Sequence, residues 1–259
     1  MNVEETKKYI VGWLKNYAET NNKKFVVGVS GGIDSALTST LCSDTGVKTF
    51  IVSMPIKQQD AQLTRARNHA KWLKSRNKNV KFIELNLDKL FDSFKSSIPE
   101  ENQSELGLVN SKARLRMTVL YQLASANKSI VVGTGNKIED FGVGFFTKYG
   151  DGGVDISPIA DLTKTEVKRM AISMGIIKEI IEAEPTDGLW ENELTDEEQL
   201  GAKYSELEWA MNYRLKDDKS NNLSEKEKSI LEIYDKHNQN NKHKMTPIPI
   251  CKIPKKIKT

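Results

Sequence analysis

Residues 24–43 constrain the fold of this 259-residue chain more than any other segment. They hold a continuous apolar run, Phe-Val-Val-Gly-Val at 25–29, then the glycine pair at 31–32, and then a helical pattern over 33–43. An uninterrupted apolar run of this length is typical of a strand buried on both faces, as in a parallel sheet. A turn that leads directly from such a strand into a helix is the first part of a β-α-β unit. The segment therefore predicts an α/β protein.

Strand and helix patterns keep alternating along the chain. A helical pattern occupies the first 20 residues, and the later elements are predicted as strands at 48–54, 80–87 and 129–134 and helices at 60–75 and 108–126. This alternation requires right-handed crossovers and predicts a doubly wound parallel sheet with helices on both faces. Ligands of such sheets bind beyond the carboxyl ends of the strands, where we expect both glycine-bearing turns, 28–32 and 133–135.

The second half of the chain has a different pattern. Residues 135–160 are rich in Gly and Asp and long for a connection within a compact domain, which indicates a functional loop. After residue 163 the pattern is mainly helical. It starts with a capping box formed by Thr163 and Glu166, and further helices are predicted from Thr195 and Ser224. The prediction is therefore a helical C-terminal part attached to the sheet.

The organisation of the chain indicates one domain. Its length is near the upper end of what one hydrophobic core supports. The polar stretch 235–244 is predicted to be a flexible connection, but no linker separates an independent second unit. We expect a single domain over residues 1–259 that ends in a flexible basic tail at roughly 245–259.

Composition excludes several classes of function. The net charge is only +4, and basic residues are interspersed with acidic ones, which argues against a nucleic-acid partner. Cys42 and Cys251 have no metal-ligand spacing, which indicates a reduced protein, and Cys42 lies on the apolar side of a predicted helix. There is no apolar signal core and no window of about 18 apolar residues. We expect a soluble cytoplasmic protein without a membrane partner.

The glycine turn after the first strand carries the most specific chemistry. Residues 28–35 read Gly-Val-Ser-Gly-Gly-Ile-Asp-Ser. Adjacent glycines let the backbone approach a ligand closely, and the N–H groups that begin the next helix form an anion site. Asp34 would repel a polyphosphate unless a cation lay between them, and Mg²⁺ binds both carboxylate and phosphate oxygens. The turn predicts a phosphate site with magnesium; the alternative is a plain turn between strand and helix.

This turn matches neither of the two common nucleotide loops. It lacks the Gly-Lys-Ser/Thr of a Walker A loop, and its glycines miss the GxGxxG spacing. It resembles instead the SGGxDS pyrophosphate loop of the ATP pyrophosphatase superfamily, whose members adenylate a substrate and release pyrophosphate. The loop alone leaves open asparagine, GMP, argininosuccinate and NAD synthetases, and tRNA-modifying enzymes.

Later strings narrow this choice. The chain reads Gly-Thr-Gly-Asn-Lys-Ile-Glu at 133–139, Phe-Phe-Thr-Lys-Tyr-Gly-Asp-Gly-Gly at 145–153 and Leu-Thr-Lys-Thr-Glu at 162–166, with Asp155 and the Ser-Pro pair at 157–158 between them. These strings resemble the NAD synthetase family, closely over residues 1 to about 215. The resemblance implies an adenine nucleotide alpha hydrolase-like fold and an ATP-dependent ligase. It implies ATP as co-substrate, Mg²⁺ as cofactor, deamido-NAD as acceptor and the last step of NAD biosynthesis.

The resemblance also implies which residues bind each ligand. Asp34 and Glu139 would bind Mg²⁺, although Asp140 competes because the chain has one residue more before Phe145 than the common bacterial pattern. The implied ATP contacts are Gly28, Val29, Ser30, Gly31, Gly32, Ile33, Asp34, Ser35, Thr134, Lys164 and Thr186. The implied deamido-NAD contacts are Arg114, with Arg116 as its competitor, and Lys148, Asp155, His243 and Lys244.

The implied reaction has two steps. The nicotinate carboxylate attacks the α-phosphorus of ATP, which yields an acyl-adenylate and pyrophosphate, and Lys164 would stabilise the charge of that transition state. Ammonia then attacks the acyl carbon and AMP leaves. Asp151 is predicted to bind or deprotonate ammonium, with a structural turn aspartate as the alternative. The glycines beside Asp151 would let the loop close and exclude water.

The nitrogen donor and partners are further expectations. The ATP loop begins at residue 28, which leaves no room for the amidohydrolase domain of glutamine-using relatives, so we expect free ammonia or a separate glutaminase. The resemblance implies a homodimer in which both subunits form the dinucleotide site. One alternative is a tRNA-modifying adenylating enzyme, which would carry a basic domain or a CxxC pair. Another is a nucleotide-binding module without catalysis.

Overall fold

The computed structural model describes residues 1–186, 194–216 and 222–258. Its strands are β1 (Lys24–Gly28), β2 (Thr49–Ser53), β3 (Val80–Glu84) and β4 (Ser129–Val132). Its helices are α1 (Val3–Thr20), α2 (Ile33–Asp44), α3 (Asp60–Arg76), α4 (Asp88–Ser96), α5 (Glu105–Asn127), α6 (Lys164–Ser173), α7 (Lys178–Ile181), α8 (Asp196–Leu200), α9 (Tyr204–Leu215) and α10 (Glu225–Met245). A π-helix covers Lys137–Val143, and short 3-10 helices cover Glu100–Asn102 and Lys255–Ile257.

The four strands of the described residues form one parallel sheet in the order β3-β2-β1-β4. β1 is central, and Val27 pairs with Ile51 of β2 on one side and with Val132 of β4 on the other. The chain runs outward from β1 to β3 and then crosses to the other side of β1 to form β4. The topological switch point therefore lies between β1 and β4, where the two glycine turns leave the sheet side by side.

Helices cover both faces of the sheet, as predicted for a doubly wound fold. One face carries Phe25 and Val27 of β1, and α1, α2, α3 and α6 pack against this side of the sheet. The other face carries Val26 and Phe50, which pack against α4 and α5. Because alternate residues of a strand point to opposite faces, a continuous apolar run is needed to fill both layers. Cys42 of α2 is fully buried in the first layer, as predicted.

The C-terminal helices form a separate apolar cluster beyond the carboxyl edge of the sheet. α8, α9 and α10 pack on the π-helix, with Ile138, Leu207 and Tyr234 in the middle of the cluster. The helix α6 that precedes them has the predicted capping box, in which Thr163 and Glu166 satisfy each other's backbone N–H. This cluster places the helical part of the chain against the loop that follows β4.

The prediction of a flexible connection at 235–244 is wrong, because α10 continues to Met245. Its asparagines are not turn residues here. Asn238 and Asn241 lie on one helix face and donate hydrogen bonds to the carbonyl oxygens of Gly142 and Val143, at 2.7 and 2.9 Å. These contacts outweigh the weak helix propensity of asparagine. The polar composition of this stretch therefore did not indicate the helix, which holds the end of the π-helix by these two hydrogen bonds.

Residues beyond α10 lie on the surface. Their large apolar side chains, Ile248, Ile250, Ile253 and Ile257, are all exposed. Flexibility of this basic tail stays a prediction. None of the helices in the described ranges combines the length and apolar character that a membrane-spanning segment needs.

Candidate active site

The turn between β1 and α2, which is predicted to bind phosphate, takes its shape from two glycines. Gly31 has φ +89°, a left-handed conformation that favours glycine, and a β-carbon there would clash with the backbone oxygen of Gln62. Gly32 is the N-cap of α2 and has no side chain to occupy the first N–H groups of the helix. The Ser35 hydroxyl accepts from the Ser30 N–H at 3.3 Å and donates to the Gly32 carbonyl at 2.9 Å. A helix that begins without a side-chain cap leaves its first N–H groups available to an anionic ligand.

A cavity opens at this switch point and is lined by all the predicted ATP residues. Its wall includes all eight residues of the turn at 28–35, together with Thr134, Lys164 and Thr186. Glu139 and Asp151 also line it. The structure therefore brings the predicted ATP residues together in one cavity, and their role stays a prediction.

A lysine joins two carboxylates on one wall of the cavity. Lys164 Nζ lies 2.6 Å from Asp34 Oδ2 and 2.9 Å from Glu139 Oε1. All three side chains are at most 16% exposed. Asp34 comes from the first turn of α2, Glu139 from the π-helix and Lys164 from the first turn of α6. The tertiary structure thus places a cation between the two carboxylates that were predicted to bind magnesium.

Asn136 holds two members of this cluster in place. Its side-chain oxygen caps the π-helix by accepting from the N–H groups of Ile138 and Glu139, both at 3.1 Å. Its amide nitrogen donates to Asp34 Oδ1 at 3.2 Å, and the side chain is completely buried. Sequence reasoning missed this residue. An asparagine directly after a strand-ending Gly-Thr-Gly is a good N-cap, and that signal would have found it.

Tyr204, also absent from the prediction, completes the cluster. Its hydroxyl lies 2.5 Å from Glu139 Oε1 and 3.2 Å from Asp196 Oδ2, and its ring is 4.8 Å from Lys164 Nζ. Tyrosine at the start of a helix has no sequence signature of its own. Only the packing of α9 against the π-helix brings it here.

The charges of the cluster act on one another. Burial lowers the pKa of Lys164, but the negative charges of Asp34 and Glu139 outweigh this and raise it, so the ammonium is retained. Burial also acts to raise the pKa of Glu139, but Lys164 and the Tyr204 hydroxyl outweigh it and hold that pKa below its usual value. For Asp34, burial dominates and raises the pKa. Burial and the nearby carboxylates raise the pKa of Tyr204, so its hydroxyl stays a donor.

Side chains from the start of α3 close another side of the cavity. Gln62 donates to the Thr186 hydroxyl at 2.9 Å, and Gln58 donates to Gln62 at 2.8 Å and to the Ser30 carbonyl at 3.3 Å. Arg65 donates from Nε to the Gly31 carbonyl at 3.3 Å. Sequence reasoning missed these three residues because a polar first helical turn has a common and uninformative composition. Gln58 and Gln62 connect Thr186 to residues 28–35, which we call the phosphate turn after its predicted role.

Glu139 and Asp140, the two candidates for the second magnesium ligand, have different surroundings. Asp140 lines the cavity, and its carboxyl packs on Gly135, where burial raises its pKa well above the usual range. Lys164 contacts Glu139 and not Asp140 among its described partners. Geometry therefore favours Glu139 over Asp140 as the second carboxylate beside Asp34.

Asp151 lies on the cavity wall and is exposed at the surface. Its Oδ1 accepts from the Thr147 N–H at 3.0 Å. Desolvation by the surrounding protein raises the pKa of Asp151 to about 6, although the Thr147 N–H acts against it. Asp151 is therefore both a turn residue and a carboxyl that titrates close to neutrality. The two alternatives from the sequence are compatible.

Four of the residues predicted to bind deamido-NAD, Arg114, Lys148, His243 and Lys244, form a second group near the end of α10. Arg114 donates to the Lys148 carbonyl at 3.2 Å, and the Lys148 ammonium donates to the His243 carbonyl at 2.7 Å. Lys244 donates to the carbonyls of Gly144 and Phe146, at 3.0 and 2.9 Å. The structure thus joins Arg114, Lys148 and the end of α10.

Asp155 and Arg116 lie elsewhere. Asp155 accepts from the Val131 N–H at 2.8 Å and from the Tyr121 hydroxyl at 3.1 Å, at the edge of an open groove. Arg116 lines the cavity and donates to the Met54 carbonyl at 2.9 Å. Arg116 is therefore nearer to the nucleotide side than Arg114, which does not line the cavity.

The cluster fits a divalent cation only with help from a substrate. In the described part of the chain, no group of three or more His, Cys, Asp or Glu residues is arranged to hold a metal ion. Asp34 and Glu139 already hold the ammonium of Lys164 between them, which shows that the pair suits a cation. Mg²⁺ is often bound by one or two carboxylates plus substrate phosphates, and the phosphate turn lies beside this pair.

Comparison with known proteins identifies the family of this chain. The family model described as NAD synthase matches residues 6–248. The chain belongs to the NAD synthase family. It is 39% identical to the NH(3)-dependent NAD(+) synthetase of Carboxydothermus hydrogenoformans, covering 80% of this chain and 85% of that one. It is 40% identical to the enzyme of the same name from Saccharolobus solfataricus, covering 79% and 72%. The family predicted from the strings at 133–166 is confirmed.

Solved structures of the family share the fold. One titled NMN synthetase, from Francisella tularensis, is 29% identical with a TM-score of 0.83, covering 98% of this chain and 99% of that chain. An NH3-dependent NAD synthetase from Campylobacter jejuni is 24% identical with a TM-score of 0.80, covering 97% and 100%. At that identity the second likeness concerns the fold alone. The predicted α/β class with a helical C-terminal part is confirmed.

Proposed function

We propose that this chain is an ATP-dependent ligase that amidates deamido-NAD with ammonia to form NAD, the last step of NAD biosynthesis. The observation that carries the proposal is the pairing of the phosphate turn at 28–35 with the Asp34–Lys164–Glu139 cluster in one cavity. Relatives named NH(3)-dependent NAD(+) synthetase, 35% to 40% identical over most of the chain, support the same activity.

The phosphate turn binds ATP in this proposal. The N–H groups at the start of α2 and the hydroxyls of Ser30 and Ser35 bind its phosphates. Thr134 and Thr186 lie on the walls beside this turn and contact the rest of the nucleotide. Lys164 exchanges its carboxylate partners for phosphate oxygens and stabilises the negative charge that develops there.

Asp34 and Glu139 are the proposed ligands of Mg²⁺. The ion would neutralise phosphate oxygens as a Lewis acid when bound there. The role of the protein is to hold both carboxylates close together, which Lys164, Asn136 and Tyr204 do by direct hydrogen bonds. These partners limit the movement of the ligands, as surrounding hydrogen bonds do at many metal sites.

The chemistry requires activation of a carboxylate. A carboxylate oxygen attacks the α-phosphorus of ATP, and the bond from that phosphorus to the oxygen that bridges to the β-phosphorus breaks. Pyrophosphate is released and an acyl-adenylate is formed. Ammonia then attacks the acyl carbon and AMP departs. Asp151, ionised above its pKa of about 6, accepts the proton that ammonium must lose. Its place on the cavity wall, one loop away from Glu139, supports this role.

The acceptor dinucleotide extends from the cavity toward the second group of residues. Arg114, Lys148, Asp155, His243 and Lys244 are its proposed contacts, and Arg116 is the alternative arginine. Guanidinium and ammonium groups suit its phosphates. Much of this surface is open in a single chain, which supports the proposal that a homodimer completes it. The ammonia is free or comes from a separate glutaminase.

A second candidate acceptor is nicotinate mononucleotide. It is favoured by the likeness to the Francisella tularensis structure titled NMN synthetase, which spans nearly the whole of both chains. The same carboxylate would be activated in the same cavity. Only the part of the acceptor beyond its first phosphate would differ.

One assay separates these candidates. The protein is incubated with ATP, Mg²⁺, ammonium and either acceptor, and the amide product, AMP and pyrophosphate are quantified. We expect NAD and AMP in equal amounts from deamido-NAD, with a higher kcat/KM than for the mononucleotide. The reverse preference would replace the first candidate with the second. If neither amide forms, and pyrophosphate is released with another acceptor, both candidates are contradicted.

A further inference from the structure

We infer that Tyr204 is a positioning residue that holds Glu139 in its productive place when Lys164 turns to the phosphates of ATP. This inference rests on the proposed function, because it takes Glu139 as a metal ligand and Lys164 as an ATP contact. It concerns a residue of the C-terminal helical part that lies outside the phosphate turn and the sheet.

The argument begins with the oxygen that the two neighbours share. Lys164 Nζ and the Tyr204 hydroxyl both contact Oε1 of Glu139, at 2.9 and 2.5 Å. When Lys164 moves to a phosphate, one of these two contacts is lost. The hydroxyl then keeps its contact with that oxygen, and this is the shorter contact of the two.

Tyr204 is itself held from three directions. Its ring is 5% exposed within the apolar cluster of α9, α10 and the π-helix. Its backbone N–H donates to Glu197 Oε1 at 2.9 Å, and its hydroxyl also lies 3.2 Å from Asp196 Oδ2. A side chain with so little freedom can hold a carboxylate without a further loss of entropy on ligand binding.

The same helix also fixes the other side of the cluster. Glu208, one turn further along α9, accepts from the Thr165 N–H at 2.8 Å. Thr165 follows Lys164 directly in the first turn of α6. α9 therefore sets both the position of Glu139, through Tyr204, and the start of the helix that carries Lys164. A purely structural tyrosine would not need its hydroxyl at this carboxylate.

The test is Tyr204→Phe, which removes one oxygen and keeps the ring. The matched control is Tyr234→Phe, since Tyr234 is equally buried, at 5% exposed, in the same apolar cluster but does not line the cavity. Binding of Mn²⁺ is measured by electron paramagnetic resonance with a non-hydrolysable ATP analogue present, and thermal unfolding is measured for each variant.

We expect Tyr204→Phe to weaken Mn²⁺ binding about tenfold, the lower end of the range for a lost partner of a metal ligand. Tyr234→Phe should stay within about twofold of wild type, since it changes no group near the metal. The KM for Mg²⁺ in turnover should rise by the same factor, and excess Mg²⁺ should restore most of kcat. In a Glu139→Gln background, Tyr204→Phe should have no additional effect, because its target is already lost.

Two results would overturn the inference. One is unchanged Mn²⁺ affinity in Tyr204→Phe of an active protein, and the other is equal weakening in both tyrosine variants. These leave the proposed function intact. A wild-type protein that binds no Mn²⁺–nucleotide complex would overturn the proposed function, and this inference with it. The measurement needs no acceptor, so a different choice of acceptor does not affect it.

Discussion

The phosphate turn and the lysine–carboxylate cluster share one cavity but are built in different ways. The turn consists of consecutive residues, 28–35, and its own serines and glycines set its shape. The cluster joins Lys164 to Asp34 across 130 positions and Tyr204 to Glu139 across 65. A local motif keeps its shape wherever a strand meets a helix. The cluster depends on how α6, α9 and the π-helix pack, so we expect it to respond to changes far from the ligand.

Asp34 belongs to both regions, and its replacement should have the largest effect. Asp34→Asn should lower kcat by about 10³-fold, because it removes a proposed magnesium ligand and leaves Lys164 with one of these two carboxylates. Circular dichroism should still show the native fold. The control is Asp161→Asn, since Asp161 pairs with Lys137 at 2.8 Å but is 95% exposed, and it should leave kcat unchanged. Comparable activity in both variants would refute the assignment.

Gly31→Ala tests how closely α3 packs on the turn. The new β-carbon would strain a backbone at φ +89° and clash with the Gln62 carbonyl, so we expect a loss of about 3 kcal/mol in the free energy of unfolding by urea. Gly46→Ala is the control, because Gly46 has φ +78° and open space around it. It should cost only about 1 kcal/mol. Equal losses would mean that the approach of α3 does not constrain the turn.

Asp151 tests the loop side of the cavity. As the proposed proton acceptor it must be ionised, so kcat/KM should fall as the pH drops below about 6, the pKa to which desolvation by the surrounding protein raises it. Asp151→Asn should remove this limb of the pH profile and lower kcat/KM by about 10²-fold at pH 7.5.

Stability separates this role from a structural one. The folded pKa of Asp151, about 6, is above its usual 3.8, so its contribution to stability is complete below pH 3.8 and is lost as the pH rises to about 6. Asp151→Asn should therefore not lower the free energy of unfolding at pH 7.5. A large loss of stability with an unchanged pH profile would identify a turn residue only.

His69 gives the smallest effect and lies behind the phosphate turn. Ser39 donates its hydroxyl hydrogen to the Ser35 carbonyl at 2.7 Å, so it accepts from His69 Nε2 at 2.9 Å. Nδ1 of His69 is buried without a hydrogen-bond partner among the described residues. Burial lowers the pKa of His69 to about 4, and the imidazole is neutral in the folded protein.

The pKa of His69 is lower in the folded protein than its value of 6.5 in the unfolded chain, so burial of the neutral imidazole contributes fully to stability above pH 6.5. This contribution is lost as the pH falls toward 4. Wild type should therefore lose about 2 kcal/mol of unfolding free energy between pH 7 and pH 5 through this group. His69→Gln should reduce that difference, and His237→Gln should not. Urea titrations at both pH values measure it. The same pH difference in wild type and His69→Gln would contradict the assignment.

Features formed by neighbouring residues could be predicted from the sequence, and features formed by residues distant in sequence could not. The sheet, its two helical layers and the phosphate turn were all predicted, because apolar periodicity and glycine spacing act over a few neighbouring residues. The stretch 235–244 was predicted wrongly, because Asn238 and Asn241 find partners in a loop about 100 positions earlier. Tyr204 was missed for the same reason, and Asn136 was missed although its N-cap position is a sequence signal. Their importance comes from Asp34 and Glu139, which lie nearby only in the folded chain.

The sequence by itself determined a parallel α/β fold and, through longer strings, the NAD synthase family, and it predicted an anion site at the first glycine turn. Only the tertiary structure decided that Lys164 lies between Asp34 and Glu139, that Glu139 and not Asp140 has this partner, and that Tyr204 restrains it. Local patterns record which residues become buried, because burial follows the period of a strand or helix. The choice of partner for a charge depends on distances between elements, and those are set when the helices pack.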